Sequence, residues 1–278
     1  MKSLLTFVLP LVSPLAAKNW DEVLDRLNET ARSIDNIHRN HKNVVAILVV
    51  NKEACLRPLP ACFEILRVDL PPPQMSVYRG DCNEEERAEV VKWDKGYKIA
   101  HGMIHAKQQG SQFLMGVDAD DLLSNEIPNI IQQNFGENGW YINKGWLLPL
   151  ESRWGVILPD FHNWCGTHAI VRSDLLPLKE SVETMDPAII KGIYGHHREL
   201  IPYLAKAGTE LKPINFNAVV YRVNHSEGNY MRRGLMQSVL APKKLFSNPK
   251  DFLMWLFRLR YFGPKIEKTF ICLKTNMR

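Results

Sequence analysis

An apolar run that ends on three closely spaced carboxylates constrains this chain more than any other part of its sequence. Residues 112–117 are typical of a buried strand, and Asp118, Asp120 and Asp121 follow directly. Carboxylates crowded at one point repel one another unless a cation or strong donors lie among them. Because open α/β sheets bind ligands at the carboxyl ends of parallel strands, this junction predicts a divalent-metal site with a phosphate-bearing ligand. The alternative is an acidic turn that caps the next helix.

Alternating strand and helix patterns precede that junction. The predicted elements are a strand at 5–9, a helix from Asn19, a valine-rich strand at 43–50, a strand at 63–68 and a helix at 84–109. This alternation predicts an α/β fold, with a mostly parallel, Rossmann-like central sheet flanked by helices in a single domain. Residues 1 to about 121 form its nucleotide-binding half.

The chain changes character after residue 121. Tryptophans recur in short segments with Gly and Pro, followed by a predicted strand at 167–171, a helix near 197–207 and a strand at 218–223. We interpret residues 122–234 as an acceptor-binding half on the same sheet, which completes a domain over residues 1–234. Residues 235–278 form a tail in which aromatic and basic residues interleave. Such a tail either lies on a membrane surface or docks on the domain as a helix.

The N-terminus has two interpretations. Met1-Lys2, an apolar core and Ser13-Pro14-Leu15-Ala16-Ala17 resemble a signal peptide, whereas residues 5–9 also fit the first strand of the sheet. We favour the strand, because an α/β domain needs one and nothing later supplies a spare. No run of 18 apolar residues occurs, so the sequence predicts no transmembrane helix.

Charge and cysteine content limit the class of partner and compartment. A net charge of +5 over 278 residues is too small to argue for nucleic acid. The five cysteines are an odd number without Cys-x-x-Cys spacing, which argues against a disulfide framework or a zinc site. We therefore expect a cytoplasmic protein, with the tail as the candidate contact to the inner face of a membrane. The sequence does not define the oligomeric state.

Four segments in order resemble a known family. They are the first strand, the valine-rich strand ending at Asn51-Lys52-Glu53, the stretch Trp93-Asp94-Lys95-Gly96-Tyr97-Lys98, and Val117-Asp118-Ala119-Asp120-Asp121. Together they look like a GT-A fold glycosyltransferase of the family 2 type, over roughly residues 4 to 230. The resemblance implies transfer of a sugar from a nucleotide-diphosphate donor, with UDP as the expected nucleotide. The acceptor would be a saccharide or a lipid-linked group, in polysaccharide or glycoconjugate biosynthesis.

The resemblance also implies a binding site for the donor and its metal. Mn²⁺ or Mg²⁺ would bind Asp120 as the main ligand, with Asp118, Asp121 and His225 as further candidates. The nucleotide contacts would come from Pro10, Leu11, Val12, Asn51, Lys95, Gly96, Asp118 and Ala119. Asn51 stands where the family often has an Asp that reads the base. Asp121 has a second interpretation as a helix cap.

The acceptor side departs from the family pattern. His196 and His197 align with a Glu-Asp pair whose Asp is the family's catalytic base, so these histidines become the candidate bases, with Asp186 as a further candidate. The loop residues Trp164, Cys165 and Gly166 are candidates to hold the donor sugar or the acceptor, with Trp164 stacking on a sugar ring. The alternative is that His196 and His197 are surface residues at the start of a histidine-rich helix, without a catalytic role.

Two other functions remain open from the sequence. A sugar nucleotidyltransferase has a similar sheet and paired acidic ligands, but it normally needs a glycine-rich loop after the first strand, and residues 10–17 contain no glycine. A non-catalytic domain that binds nucleotide or glycan is favoured by the missing Glu-Asp pair.

Overall fold

Four parallel strands form the half of the sheet that carries the predicted nucleotide site. The computed structural model describes residues 2–73, 83–150, 152–223 and 249–271. Strand β1 (Leu5–Pro10) lies between β2 (Val44–Asn51) and β4 (Phe113–Gly116), and β3 (Phe63–Val68) pairs with β2; all these pairings are parallel. The N-terminal segment is thus a central, buried strand, as the favoured interpretation predicts.

Two long helices cover opposite faces of this block. Helix α1 (Trp20–Asn40) begins at Asn19, whose side chain accepts a hydrogen bond from the Glu22 amide, and α2 is Glu84–Gln108. Alternate side chains of β1 point to opposite faces. Phe7 belongs to the apolar cluster that includes α1, whereas Val8 belongs to the cluster that includes α2. The predicted helices and strands of this half are therefore confirmed to within a residue or two.

The second half of the sheet is mixed. Strand β8 (Ala169–Arg172) runs antiparallel to β4 and to β6 (Gly139–Pro149), and β7 (Trp154–Pro159) runs antiparallel to β6. Strand β9 (Lys212–Val223) lies parallel to β6 and antiparallel to the short β5 (Leu122–Leu123). The two halves form one continuous sheet, which confirms the predicted α/β class and single sheet flanked by helices.

Short helices connect these strands. Helix α3 is Ile127–Gln133, α4 is Pro187–Ile189, a π-helical turn at Ile190–Tyr194 follows, and α5 is Leu200–Lys206. The helix predicted near residue 197 thus begins only at Leu200. His196 and His197 lie in the turn before it, which leaves their side chains outside any helical register.

The C-terminal elements return to the sheet. Helix α6 (Pro249–Arg258) leads into β10 (Leu259–Tyr261), which pairs antiparallel with β7 as the outermost strand, and α7 is Pro264–Phe270. The predicted domain boundary near residue 234 lies outside the described residues and stays a prediction. Among the helices that the structure describes, none is both long and apolar enough to cross a membrane.

Candidate active site

The order of the parallel strands creates a crevice at their carboxyl ends. From β1 the chain proceeds to β2 and β3 on one side, and it returns to place β4 on the other side of β1. The strand order therefore reverses at β1, and open α/β sheets bind ligands at such a point. The loop after β4 is the carboxylate loop, residues 118–121.

Backbone and hydroxyl groups hold the carboxylate loop in place. The Asp118 amide donates to the hydroxyl of Thr167 (2.8 Å), and the hydroxyl of Thr30 on α1 donates to the Ala119 carbonyl (3.0 Å). The Asp121 amide closes the turn by donating to the Asp118 carbonyl (3.1 Å). The loop is anchored from both halves of the sheet, so its carboxylates have fixed positions before any ligand binds.

Asp121 is the inner carboxylate of the loop. It is fully buried, and its Oδ2 accepts from the Thr167 hydroxyl (2.5 Å) and the Cys165 thiol (3.0 Å). Burial, followed by the nearby carboxylates of Asp120 and Asp118, raises the pKa of Asp121 well above its usual range. Burial and Asp121 likewise raise the pKa of the Cys165 thiol, which makes it a poor nucleophile.

Lys95 supplies the positive charge of the crevice. Its ammonium forms an ion pair with Asp118. Burial would lower the pKa of Lys95, but Asp118, Cys165 and Asp120 outweigh that effect and raise it, so the lysine is charged. Gly166 lies against this pair, since a Cβ at Gly166 would lie 2.5 Å from Lys95 Nζ and would collide with Asp118 Oδ2. A side chain at position 166 would therefore displace at least one of the two charged groups.

The donor atoms of the carboxylate loop fit a metal ion. Asp118, Asp121 and Cys165 each offer one ligand atom, and these atoms all lie within 4.8 Å of one another. Asp121 Oδ1 is buried without a hydrogen-bond partner, so it has a free lone pair at this point. Asp120 is half-buried beside them. Carboxylate oxygens suit Mg²⁺ or Mn²⁺, whereas the protonated thiol does not.

The predicted base-binding residues lie at the ends of β1 and β2. Leu11 is buried, and Pro10 and Val12 are half-buried. Asn51 is buried at the end of β2, where its Nδ2 donates to the Leu70 carbonyl (2.6 Å) and its Oδ1 has no partner. One buried amide acceptor at the end of β2 is therefore unpaired.

A buried ion pair fastens the loop after β1 to α2. The Lys98 ammonium is fully buried and donates to Asp94 Oδ2 (2.9 Å) and to the Leu11 carbonyl (2.8 Å). Gly96, on the same helix, faces the backbone of Ile190 and Gly195, so the structure assigns it to the packing of α2 against the π-helical turn.

The two candidate histidines lie next to each other. The rings of His196 and His197 stack with centroids 5.4 Å apart, and His197 Nε2 lies 3.1 Å from the Asn163 carbonyl oxygen. Burial lowers the pKa of both histidines. His197 lines a cavity that also contacts Lys95 and Gly166, which places it beside the ion pair at the carboxylate loop.

The other predicted site residues lie in three settings. Asp186 is exposed and caps α4, since its Oδ1 accepts from the Ala188 amide (2.8 Å). Trp164 is exposed in the loop that leads to Cys165 and Gly166. His225 lies outside the described residues, and its assignment as a metal ligand stays a prediction.

Three further residues join the site without having been singled out from the sequence. Thr167 bonds both ends of the carboxylate loop, and His168 Nδ1 donates to the Gly166 carbonyl (2.7 Å). Burial raises the pKa of the Tyr221 phenol on β9, with Cys165 and the three carboxylates adding to the effect. The only signal for Thr167 and His168 was their place in the loop before β8.

Comparison with known proteins gives distant structural similarities. No protein-family model and no curated protein matches the chain. Among solved structures, S. aureus TarS 1-349 is 11% identical, with a TM-score of 0.36, and the match covers 80% of this chain and 60% of that one. A protein named as a nucleotide-diphospho-sugar transferase from Desulfovibrio desulfuricans G20 is 10% identical, with a TM-score of 0.38 and coverage of 92% and 99%. A 4-diphosphocytidyl-2C-methyl-D-erythritol synthase is 15% identical, with a TM-score of 0.35 and coverage of 78% and 90%.

With TM-scores below 0.5, these similarities carry no argument about activity. The fold is GT-A-like on its own features, which are the parallel block, the crevice beside β1 and the carboxylate loop after β4.

Proposed function

We propose that this chain is a metal-dependent glycosyltransferase, which moves a sugar from a UDP-sugar to a saccharide or lipid-linked acceptor. One observation carries the proposal: the carboxylate loop and Lys95 lie together in the crevice between β1 and β4. A nucleotide-diphosphate leaving group develops negative charge, and a transferase must neutralise it as the glycosidic bond breaks.

The carboxylates and the lysine divide that task. Asp118, Asp120 and Asp121 would hold Mn²⁺ or Mg²⁺, which supplies positive charge to the departing diphosphate when bound. Lys95 is charged and reaches the same carboxylate loop, and its ammonium would donate to a phosphate oxygen. Gly166 leaves room for this arrangement, because it presents no side chain to the pair.

Asn51 favours uracil over cytosine as the base. Its free, buried Oδ1 is an acceptor, and the N3–H of uracil is a donor of matching polarity. A cytosine offers an acceptor at N3 and would leave two acceptors facing each other. Thymine and guanine carry a ring N–H donor of the same kind, so this match supports a UDP-sugar over a CDP-sugar, and the choice of UDP among the remaining donors follows the resemblance to GT-A glycosyltransferases.

His197 is the proposed base for the acceptor hydroxyl. Its pKa is lowered, chiefly by burial, so the ring is neutral near pH 7 and can accept a proton. In the tautomer with hydrogen on Nε2, the bond to the Asn163 carbonyl fixes the ring and leaves Nδ1 as the acceptor. Trp164, which follows Asn163 in the chain, is exposed, so its aromatic face can stack on a sugar.

The test combines activity with binding. Purified protein would be screened with UDP-, GDP- and TDP-sugars for hydrolysis and transfer, with Mn²⁺ and after chelation. Asp120→Asn and His197→Asn should each reduce turnover by at least about 100-fold. Asp35→Asn, the same change in a surface ion pair on α1, is the matched control and should retain turnover.

Calorimetry separates the alternatives. UDP affinity that depends on Mn²⁺ and falls in Asp120→Asn supports the proposal. Full turnover in Asp120→Asn would refute the metal-dependent mechanism. Binding of UDP without turnover of any donor would identify a non-catalytic nucleotide-binding domain, and pyrophosphate release from a nucleoside triphosphate would identify a nucleotidyltransferase.

A further inference from the structure

The described C-terminal segment, residues 249–271, uses only one of its sides to pack on the sheet. Trp255 packs on the main core, and Phe262 and Phe270 pack with Trp146 in a smaller cluster. The rings of Trp146 and Phe262 meet edge to face, with centroids 5.3 Å apart. These contacts hold α6 and β10 in a defined position beside β7.

The other side of this segment is apolar and exposed. Among the residues that the structure describes, eleven large hydrophobic side chains are exposed, and six of them gather here. These six, which we call the α6 patch, are Trp154, Leu253, Met254, Leu256, Phe257 and Tyr261. Phe257 is 75% exposed, and the Trp154 and Tyr261 rings lie 5.5 Å apart. Exposed apolar patches of this kind mark interaction sites.

The charges around the α6 patch are mostly positive. Residues 249–271 contain five basic residues, Lys250, Arg258, Arg260, Lys265 and Lys268, against the acidic Asp251 and Glu267. Glu267 is paired with Arg153 (3.0 Å), and the two charges of this ion pair cancel. Aliphatic side chains, amphipathic Trp and Tyr rings and flanking cations together match the surface of an anionic bilayer.

The sheet edge beside the patch disfavours a second copy of this chain as the occupant. Strand β10 has three residues and is the outermost strand of the sheet. Arg260 on this strand is exposed, and its guanidinium donates to the carbonyls of Phe257 (2.5 Å) and Leu259 (2.8 Å). A short edge strand with a charged side chain resists pairing with another strand.

We propose that the α6 patch docks this protein on a bilayer surface that contains anionic phospholipids. Leu256 and Phe257 enter the headgroup region, and the surrounding lysines and arginines meet lipid phosphates. The proposal is independent of the transferase activity, because none of the proposed catalytic residues belongs to the patch.

Vesicle sedimentation with the full chain tests the proposal. We expect binding to vesicles of phosphatidylcholine with about one-third phosphatidylglycerol, and at least about tenfold weaker binding to pure phosphatidylcholine. Binding should also fall as ionic strength rises from about 0.1 M to about 1 M. Leu256→Ser/Phe257→Ser should reduce binding about tenfold, whereas Phe135→Ser, an exposed phenylalanine outside the patch, should not.

A second pair of variants changes charge alone. Lys250→Gln/Lys265→Gln should weaken binding to the anionic vesicles more than Lys144→Gln/Lys206→Gln, which removes the same charge from exposed lysines elsewhere. Circular dichroism checks that each variant is folded. Equal binding by all variants, or no binding by the wild type, would overturn the proposal. A dimer that Leu256→Ser/Phe257→Ser dissociates, without vesicle binding, would assign the patch to self-association.

Discussion

Lys98 shows how much of this site depends on one buried side chain. Burial lowers the pKa of Lys98 and raises that of Asp94, against the attraction between them. The pair persists because Lys98 also donates to the Leu11 carbonyl. Each charge is thus tolerable only in the presence of the other.

We predict that Lys98→Met destabilises the protein by about 3 kcal/mol, because it leaves the Asp94 carboxyl group buried without its cation. Lys98→Met/Asp94→Leu removes both charges and should recover a large part of that loss. Urea unfolding at pH 7 measures both variants. If the double variant is less stable than Lys98→Met, the explanation by an uncompensated charge is wrong.

His168 should make stability depend on pH. Burial lowers its pKa to about 3, so the folded protein keeps the ring neutral. The unfolded chain takes up a proton as the pH falls through about 6.5. The free energy of unfolding should therefore fall between about pH 6.5 and pH 3, where only the unfolded state is protonated at this residue.

The matched variant is His168→Asn, whose side-chain amide can still donate to the Gly166 carbonyl. Its stability should decline by about 3 kcal/mol less than that of the wild type between pH 7 and pH 4. Urea unfolding at the two pH values gives the comparison. Parallel declines would show that His168 is not the group responsible.

At the scale of elements, α2 and the π-helical turn meet through two glycines. A Cβ on Gly96 would collide with the Ile190 carbonyl oxygen and lie 2.9 Å from the Gly195 nitrogen, and a Cβ on Gly195 would collide with the Lys92 carbonyl oxygen. Because of this close approach, the π-helical turn, which leads into His196 and His197, packs against the helix that carries Lys95. The position of His197, the proposed base, relative to Lys95, the proposed phosphate ligand, thus depends on this packing contact.

Gly96→Ala should separate these two elements, lower the free energy of unfolding by about 2 kcal/mol and reduce turnover. Gly192→Ala, in the same turn, is the matched control, since nothing lies within 4 Å of the position of its Cβ. That variant should be neutral or slightly more stable, because alanine favours helices. Equal stability and turnover of both variants would contradict the role assigned to the contact.

Elements of the first half were predictable because their signals are local. The helical periodicity of apolar residues in α1 lies within one element, and so does the valine-rich run of β2. Strand β6 was missed as a continuous strand of 11 residues, because Gly139 and Gly145 interrupt its pattern. Its partners β8, β7 and β9 supply the stability that its own sequence does not indicate.

At the scale of the whole molecule, the site joins the two halves of the sheet. The carboxylates could be found in the sequence because they lie within four residues of one another, whereas Thr167 lies 46 residues from Asp121, to which it donates. Tyr221 on β9 is farther still, and it reaches the site because β9 pairs antiparallel with β5, where Val220 lies opposite Leu122, the residue after Asp121. Sequence patterns do not encode such contacts, which depend on the closure of the full sheet.

Lys95 and Lys98 lie about one helical turn apart on α2, and they contact opposite walls of the crevice. Lys95 pairs with Asp118 after β4, and Lys98 donates to the Leu11 carbonyl after β1. Helix α2 is therefore bonded to both walls, and these two contacts set the width of the crevice. Under the proposed function, a variant that widened one wall to admit a bulkier purine would also strain the contact with the opposite wall. A change in nucleobase preference would then require compensating substitutions along this helix, in addition to those at the residues that contact the base.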